Sequence, residues 1–199
     1  MSRLYRTPKS EVTSQLAAVR RRYDAIAADL LAAAAAPVAD PGLAAEAAAV
    51  VTAEARILDA RDWQRWLDWC GEETVLWVPL DVRAAHPGSD QSLFLDDRRR
   101  LDERVWRFTD PSAWALNPPA SVIRGVSGVE AWPDGIEQLL VSSVLSLQHV
   151  RARAVWSTQA RQVHRLRREP SRPAGWILVH KVLLIPALDA GSPHLGWLL

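Results

Sequence analysis

The sequence predicts an α+β fold in which helices come first and a strongly curved sheet of consecutive strands follows. Up to about Phe108, most apolar residues recur at the three-and-four spacing of helices, and beyond Pro119 the spacing becomes that of extended strands. Only turn signals such as Pro133-Asp134-Gly135 separate these strands. Helices followed by a run of strands are typical of an α+β fold and not of alternating βαβ units.

The composition indicates one sizeable core. The chain has 199 residues, of which 49% are apolar. A domain of this length buries roughly 70% of the surface that its unfolded chain exposes. The formal net charge is +1, which leaves no excess of positive charge to attract a phosphate backbone. We therefore expect no nucleic-acid partner.

Cysteine usage and hydropathy predict a cytoplasmic protein. The chain has a single cysteine, Cys70, so it forms no intramolecular disulfide. We expect this thiol to be a small buried side chain and not a nucleophile. Residues 1–10 lack the apolar core of a signal peptide, and no apolar run approaches the ~18–20 residues that span a bilayer. We expect no membrane contact.

Two helices are predicted at the start of the chain. Residues 10–36 are rich in Ala, Leu and Arg, which favour helix. The predicted buried stripe consists of Leu16, Val19, Tyr23, Ile26 and Leu30. Pro37, Pro41 and Gly42 interrupt the helix, which resumes near Leu43 and continues to about Ala60. We expect residues 1–42 to form a helical extension and residues 43–199 the main domain.

A short helix and a strand are predicted next. Asp62 is placed to cap the helix, and Gly71 to end it. Residues 74–80 are rich in Val, Leu and Trp and are predicted to form a strand. Residues 81–92 have the composition of a loop, and residues 96–108 are predicted to form a helix with Leu101, Val105 and Phe108 on its buried side.

Four long strands are predicted in the second half, at residues 121–132, 136–150, 151–166 and 176–188. The last strand is apolar on both faces. Trp176, Leu178, Val182 and Leu184 would share one face, and Ile177, Val179, Leu183 and Ile185 the other. One face can cover the helices, so burial of the other predicts contact with a second subunit.

The helix at residues 96–108 is densely charged. It offers ion pairs at i,i+4 spacing, Asp96–Arg100 and Glu103–Arg107, each worth a few tenths of a kcal/mol when exposed. One interpretation is a solvated face. The other is a contact surface for a large partner, because the arginine fork can hold carboxylates or carbonyls across an interface.

The same helix carries a resemblance to a known family. Asp96-Asp97-Arg98, Leu101 and Arg104-Val105 match the order D-D-R-x-x-L-x-x-R-V. Trp114 and Pro118-Pro119 follow, and then a strand whose matching segment begins at Arg124 and has Gly128 where the family has Asn. Residues 54–69 resemble the family's opening segment E-A-x-L-L-D-x-x-x-Y-x-x-W-L. The chain thus resembles the small (beta) subunits of aromatic-ring-hydroxylating dioxygenases, over about residues 54–199.

The resemblance implies a cone-shaped mixed or antiparallel sheet wrapped around N-terminal helices, the nuclear-transport-factor-2-like or cystatin-like shape, with the first helix as an addition. It also implies a non-catalytic beta subunit in a complex with other beta copies and with alpha subunits, three of each. The alpha subunits would hold the Rieske [2Fe–2S] cluster and the mononuclear iron, and this chain would hold no cofactor. The candidate interface residues are Asp96, Asp97, Arg98, Arg100, Arg104, Arg124, Trp132 and Trp197.

The metal ligands of such an oxygenase are scarce in this chain. A Rieske cluster needs two cysteines and two histidines, and the chain has one cysteine. Its five histidines include no pair three to five residues apart. We therefore expect no metal site here, which agrees with the role of a partner to an iron-bearing subunit.

An enzymatic alternative rests on His180, which lies on an otherwise apolar strand beside Lys181. His149 and His164, on neighbouring predicted strands, could face the same cavity and join Asp59 or Asp81 as an acid–base pair. The chain would then be a stand-alone dehydratase, isomerase or cyclase. The plain interpretation is hydrogen-bonded structural histidines, and a ligand-binding module is a third class.

Overall fold

The computed structural model describes residues 9–38, 40–110, 112, 120–151, 153–172 and 175–186. Four helices and six strands form in the described residues. The helices are α1 (Lys9–Ala32), α2 (Pro41–Asp59), α3 (Trp63–Trp69) and α4 (Arg98–Thr109). The strands are β1 (Cys70–Pro79), β2 (Ser92–Asp97), β3 (Ser121–Asp134), β4 (Gln138–Arg151), β5 (Ala154–Arg168) and β6 (Trp176–Leu184).

The strands form one mixed sheet in the order β2-β1-β6-β5-β4-β3. Strands β3 to β6 are antiparallel neighbours, as consecutive strands joined by short turns are. Strand β1 pairs with β2 antiparallel and with β6 parallel, so it lies inside the sheet. The predicted α+β class with a mixed sheet is confirmed.

The inner face of the sheet packs on helices α2, α3 and α4. Trp66 and Leu58 from the helices meet Leu76, Val141 and other strand residues in a core from which water is excluded. Alternation along the strands places Leu76 and Val78 on this face and Val75 and Trp77 on the other. Among the described residues, these side chains pack between the helices and the inside of the curved sheet.

Helix α1 covers part of the outer face. Ile26 is fully buried and packs with Trp77, Val163 and Val182. Because the last strand is apolar on both faces, its outer face was predicted to contact a second subunit. In the structure the chain's own extension buries it, so that argument for oligomerisation is wrong.

The two predicted N-terminal helices form with different ends. Helix α1 ends at Ala32, four residues before the predicted end at residue 36, and its stripe is buried only in part: Leu16 is 65% exposed and Val19 38%. The first half of α1 therefore buries little of its apolar stripe. Helix α2 begins at Pro41, where Asp40 caps it and proline fits because the first turn needs no amide donor.

The junction between α3 and β1 corrects the role predicted for Gly71. Helix α3 ends at Trp69, and Cys70 is already extended, so the strand begins four residues before the predicted Thr74. Gly71 lies within β1. A Cβ atom on it would lie 3.3 Å from the Leu178 carbonyl oxygen, so glycine is needed for the close approach of β6 and not for a helix stop.

Strand β2 was not predicted. Ser92–Asp97 pairs with β1, and α4 begins at Arg98, two residues after the predicted start. The ion pair Asp96–Arg100 is therefore wrong, because Asp96 lies in the strand and binds Arg104 instead. Glu103 binds Arg99, one turn before it, and not the predicted Arg107, one turn after it. Leu101 and Val105 are buried as predicted.

Strand β6 carries an irregularity that alters its faces. Leu166 pairs with Leu178 and Arg165 with His180, so Val179 is an extra residue of β6 with no counterpart on β5, as in a β-bulge. Trp176 and Leu178 pack in the inner core, and beyond the irregularity Leu183 packs on the inner side while Val182 faces outward. The predicted sharing of one face by Leu178 and Val182 is wrong.

Candidate functional site

A cluster of ionisable side chains lies inside the curved sheet. Glu54 of α2 accepts hydrogen bonds from Trp66 Nε1 at 3.1 Å and Lys181 Nζ at 2.8 Å, and its second oxygen lies 2.9 Å from His164 Nε2. Lys181 and His164 are paired neighbours on β6 and β5. The side chains of Glu54, His164 and Lys181 are exposed by 2%, 0% and 4%.

The charges of this cluster are set by burial and by each other. Burial by itself would raise the pKa of Glu54, but the Lys181 ammonium and the hydrogen bonds outweigh it and hold that pKa far below its usual range. Burial lowers the pKa of His164 more than Glu54 raises it. His164 is therefore neutral at pH 7, and Lys181 is the cation that keeps Glu54 ionised.

This geometry limits what the cluster can do chemically. Three donors already contact the Glu54 carboxylate and its side chain is 2% exposed, whereas a general base must lie within reach of a substrate proton. Leu58, Val141, Leu166 and Leu178 are buried in the core around it. The arrangement fits an internal ion pair that fixes α2 on the sheet.

A second cluster holds α1 on the outer face. The Asp29 carboxylate binds the guanidinium of Arg165, with Nε to Oδ2 at 2.8 Å, and lies 2.8 Å from His180 Nε2. Arg165 also binds Asp134 at 3.0 Å. Burial would raise the pKa of Asp29, but the contacts with His180 and Arg165 outweigh it and lower that pKa.

The structure does not bring the five candidates for the pocket together. His164 lies inside the sheet and His180 lies outside it beneath α1, each beside a carboxylate that was not predicted. His149 is buried and stacks on Trp156, with ring centroids 4.6 Å apart. The predicted carboxylates bind arginines: Asp59 binds Arg124, and Asp81 binds Arg83.

The candidate interface residues of the charged helix make contacts within the chain. Arg98 Nη1 donates to the carbonyl oxygens of Leu67 at 2.8 Å and Cys70 at 2.9 Å, where α3 ends. Asp97 caps α4 through the Arg100 amide. These contacts join α4 to α3 and fix the turn from β2 into α4.

Three further candidates are also engaged internally. Arg104 binds Asp96, which is buried, and its guanidinium lies 4.0 Å from the centroid of the Phe94 ring. The Arg124 side chain is 3% exposed and lies 2.7 Å from Asp59. Both arginines therefore connect elements of one chain instead of presenting a free charge.

Four of the eight tryptophans in the described residues are buried: Trp66, Trp69, Trp77 and Trp176. Trp132, a candidate interface anchor, donates its indole N–H to the Ala36 carbonyl at 3.1 Å and so packs against the extension. Trp197 lies outside the described residues. Cys70 is buried and its thiol donates to the Trp66 carbonyl, and burial raises its pKa. A thiolate nucleophile is therefore excluded at neutral pH.

Large apolar side chains are exposed on α4 and on the outer face of the sheet, among other places. Trp106 on α4 is 63% exposed. Ile123 on β3 and Val155 on β5 are 70% and 63% exposed, on the part of the outer face that α1 leaves uncovered. Trp106 and Ile123 are surface features that the sequence interpretation did not single out.

The missed carboxylates had a signal in the sequence. Glu54 lies on the apolar stripe of α2, three residues after Val51 and four before Leu58. Asp29 likewise follows Ile26 by three residues on the stripe of α1. A carboxylate inside a buried stripe must have a partner, because an unpaired buried charge is costly. The rule identifies the residue but not its partner.

Two features are absent from the described residues. No described helix is both long and apolar enough to cross a membrane. In the described ranges, no three His, Cys, Asp or Glu side chains are grouped as metal ligands.

Comparison with protein families gives one match that covers most of the chain. Residues 53–187 match the family model described as "Ring hydroxylating beta subunit". The match begins just before Glu54 and leaves α1 and the first part of α2 outside.

Individual relatives agree with the family match. The chain is 32% identical over 87 residues to the 2-halobenzoate 1,2-dioxygenase small subunit of Burkholderia cepacia, covering 41% of this chain and 53% of that protein. It is 27% identical over 136 residues to the small oxygenase component of the naphthalene 1,2-dioxygenase system of Pseudomonas aeruginosa, covering 65% and 63%. The chain thus spans about half to two thirds of the length of these relatives.

A solved structure shows the same fold. A chain of naphthalene 1,2-dioxygenase, crystallised with indole in its active site, superposes with a TM-score of 0.66 at 24% identity. The superposition covers 75% of this chain and 81% of that one.

Proposed function

The chain belongs to the family of ring-hydroxylating beta subunits, and from this premise we propose that it is the non-catalytic beta subunit of an aromatic-ring-hydroxylating dioxygenase. In this proposal it stabilises alpha subunits that carry the Rieske [2Fe–2S] cluster and the mononuclear iron. Those subunits add O2 to an aromatic ring in the catabolism of aromatic compounds. The complex would be cytoplasmic and contain three alpha and three beta subunits.

One observation supports the non-catalytic role above others. The interior of the curved sheet, where an enzyme of this shape would hold its substrate, contains a Glu54 carboxylate occupied by Trp66, His164 and Lys181. Apolar side chains surround this cluster. A proton-transfer enzyme needs its base open to substrate, whereas a subunit needs a rigid body, so the arrangement favours the subunit.

The partner surface in this proposal includes the exposed Trp106. Tryptophan is enriched among residues that dominate binding energy at interfaces. Arg98 and Arg104 on the same helix are engaged within the chain and hold α4 in place. Helix α4 remains the proposed contact helix, and Trp106 replaces the arginines as its proposed anchor residue.

The test is co-expression with the Rieske-containing large subunit encoded nearest to this chain in its genome. We expect both chains to elute as one complex whose iron belongs to the large subunit. We expect the isolated chain to turn over no aromatic compound. Turnover by the isolated chain, or separate elution of the two chains, would contradict the proposal.

A variant pair tests the anchor. Trp106→Ala should weaken the complex by about tenfold or more, because it removes a large apolar contact that forms only in the complex. Leu31→Ala is the matched control, since Leu31 is also exposed, at 78%, but lies on α1. Association is measured by analytical ultracentrifugation. If the complex forms but both variants associate alike, the anchor is wrong while the subunit role stands.

A further inference from the structure

A cleft of about 330 Å3 opens between α1 and the place where β2 runs into α4. It lies apart from the Glu54 cluster and from the exposed Trp106. Its walls are formed by Val19, Arg22, Tyr23, Val75, Leu95, Asp97, Arg99 and Arg100.

The charge of this cleft is positive. Three arginines line it against one carboxylate, Asp97. That carboxylate is already engaged, because it accepts a hydrogen bond from the Arg100 amide at 3.0 Å and caps α4. Arg99 has a carboxylate partner in Glu103, and Arg100 donates to the Leu95 carbonyl. Arg22 has no carboxylate partner in the described ranges, so an anion bound in the cleft would supply the partner that this guanidinium lacks.

The other walls of the cleft are apolar. Val75 is buried, Leu95 is half-buried and the ring of Tyr23 lies beside them. A volume near 300 Å3 is at the small end of ligand sites in proteins, which suits a compact molecule better than a peptide. Cationic groups beside an apolar wall are complementary to a molecule with an anionic head and an apolar body.

We propose that this cleft binds a small organic carboxylate. The carboxylate would accept hydrogen bonds from Arg22 and from Arg99 or Arg100, whose forks match its two oxygens. The apolar body would lie against Val75 and Leu95.

The proposal is independent of the subunit role. Val19, Arg22 and Tyr23 belong to α1, which precedes the family match at residues 53–187. The extension therefore adds a wall that the matched part of the chain does not supply.

The test is a titration of the 15N-labelled full chain with benzoate, followed by amide chemical shifts. We expect saturable shifts at residues 19–23 and 95–100. Arg22→Gln should weaken binding by about tenfold, the effect of losing one charge-assisted hydrogen bond. Arg21→Gln is the matched control and should change the affinity less than twofold, because Arg21 is an exposed neighbour that does not line the cleft.

Two further probes separate the parts of the proposal. Benzyl alcohol should bind at least tenfold more weakly than benzoate, because it lacks the charge, and inorganic phosphate should also bind more weakly, because it lacks the apolar body. Equal binding of either probe would overturn the organic carboxylate as ligand. Absence of saturable shifts in the cleft, or equal losses in Arg22→Gln and Arg21→Gln with far-UV circular dichroism unchanged, would overturn the site.

Discussion

Three donors from three different elements hold the Glu54 carboxylate, and only Lys181 brings a full positive charge. Buried ion pairs contribute little net stability when intact, because desolvation offsets the attraction. Removal of one partner is different, since it leaves a charge in a place that water does not reach. The effect of a single residue on the stability of this protein therefore depends on whether its replacement leaves a buried partner charge unpaired.

Replacement of Lys181 by Met tests this dependence. Lys181→Met should lower the free energy of unfolding by roughly 3–5 kcal/mol, because Glu54 remains buried without its cation. The double variant Lys181→Met/Glu54→Gln should recover at least half of that loss, since the neutral amide still accepts from Trp66. Urea unfolding followed by tryptophan fluorescence measures both. A double variant no more stable than the single one would contradict the assignment.

His164 predicts a dependence of stability on pH. Its pKa in the folded chain is lowered by burial from the ordinary value of 6.5, so below that pH the unfolded chain takes up a proton that the folded chain does not. Stability should therefore fall as the pH drops below about 6.5, by up to about 1.4 kcal/mol per pH unit for this one proton.

The variant His164→Gln should remove that part of the slope, because glutamine does not titrate. The measurement is urea unfolding of both proteins at several pH values between about 5 and 7.5. At lower pH, Asp29 and Glu54 add to the loss in both proteins, since their lowered pKa values stabilise the fold only while they are ionised. Equal slopes between the two proteins above pH 5 would show that His164 is not the responsible group.

For single residues, the sequence identified the unusual side chains more reliably than it identified the groups that they bind. His180 was identified because it lies on an otherwise apolar strand and His164 because it lies on a neighbouring strand, and both do have carboxylate partners. The predicted partners Asp59 and Asp81 were wrong. Glu54 lies 110 residues before His164, and no local spacing encodes a contact over that distance.

At the scale of elements, Arg98 connects two helices. It is the first residue of α4, and its Nη1 binds two carbonyl oxygens at the end of α3, where the last carbonyls of a helix lack intrahelical donors. Its Nε also lies 3.2 Å from Asp102. One guanidinium thus orients α4 against α3.

Arg98→Lys should lower the free energy of unfolding by about 1–2 kcal/mol, because an ammonium group cannot hold the two carbonyls and Asp102 together as the planar fork does. Arg99→Lys is the matched control, since Arg99 is the next residue, is 68% exposed and makes only an i,i+4 pair. Its effect should stay within about 0.5 kcal/mol. Thermal unfolding gives both values, and equal losses would contradict the role of Arg98.

Helices and strands were predicted well where the spacing of apolar residues repeats along a long segment. The four strands of the second half and the helices α2 and α4 agree with the sequence to within a few residues, because their apolar residues repeat over several turns or pleats. Strand β2 has six residues and ends in Asp96-Asp97, which favours a helix start. Its pairing with β1 outweighed that local preference.

At the scale of the whole molecule, the extension determines which surfaces remain free. Helix α1 lies across the outer face and buries Ile26 against β5 and β6. Ile123 and Val155 remain exposed on the other part of that face. The sequence predicted correctly that this face needs a cover, but periodicity cannot distinguish a cover within the chain from a second subunit.

Asp29→Asn should loosen this cover without unfolding the sheet. The variant removes the charge that binds Arg165 on β5 and His180 on β6. We expect faster amide hydrogen exchange in residues 23–32 and unchanged protection in β4 and β5. Asp24→Asn is the control, since Asp24 contacts only His86 on a loop, and faster exchange throughout the sheet in Asp29→Asn would contradict a local role.

The parallel pairing of β1 with β6 determines when the chain can fold during its synthesis. Thr74 binds the Leu178 carbonyl across 104 residues of sequence, and Lys181 reaches Glu54 across 127. At ribosomal rates those residues take roughly 5–25 s to appear. During that interval the apolar side of α2 has no sheet to cover it and Glu54 has no cation. The nascent chain therefore cannot close its core until β6 has left the exit tunnel.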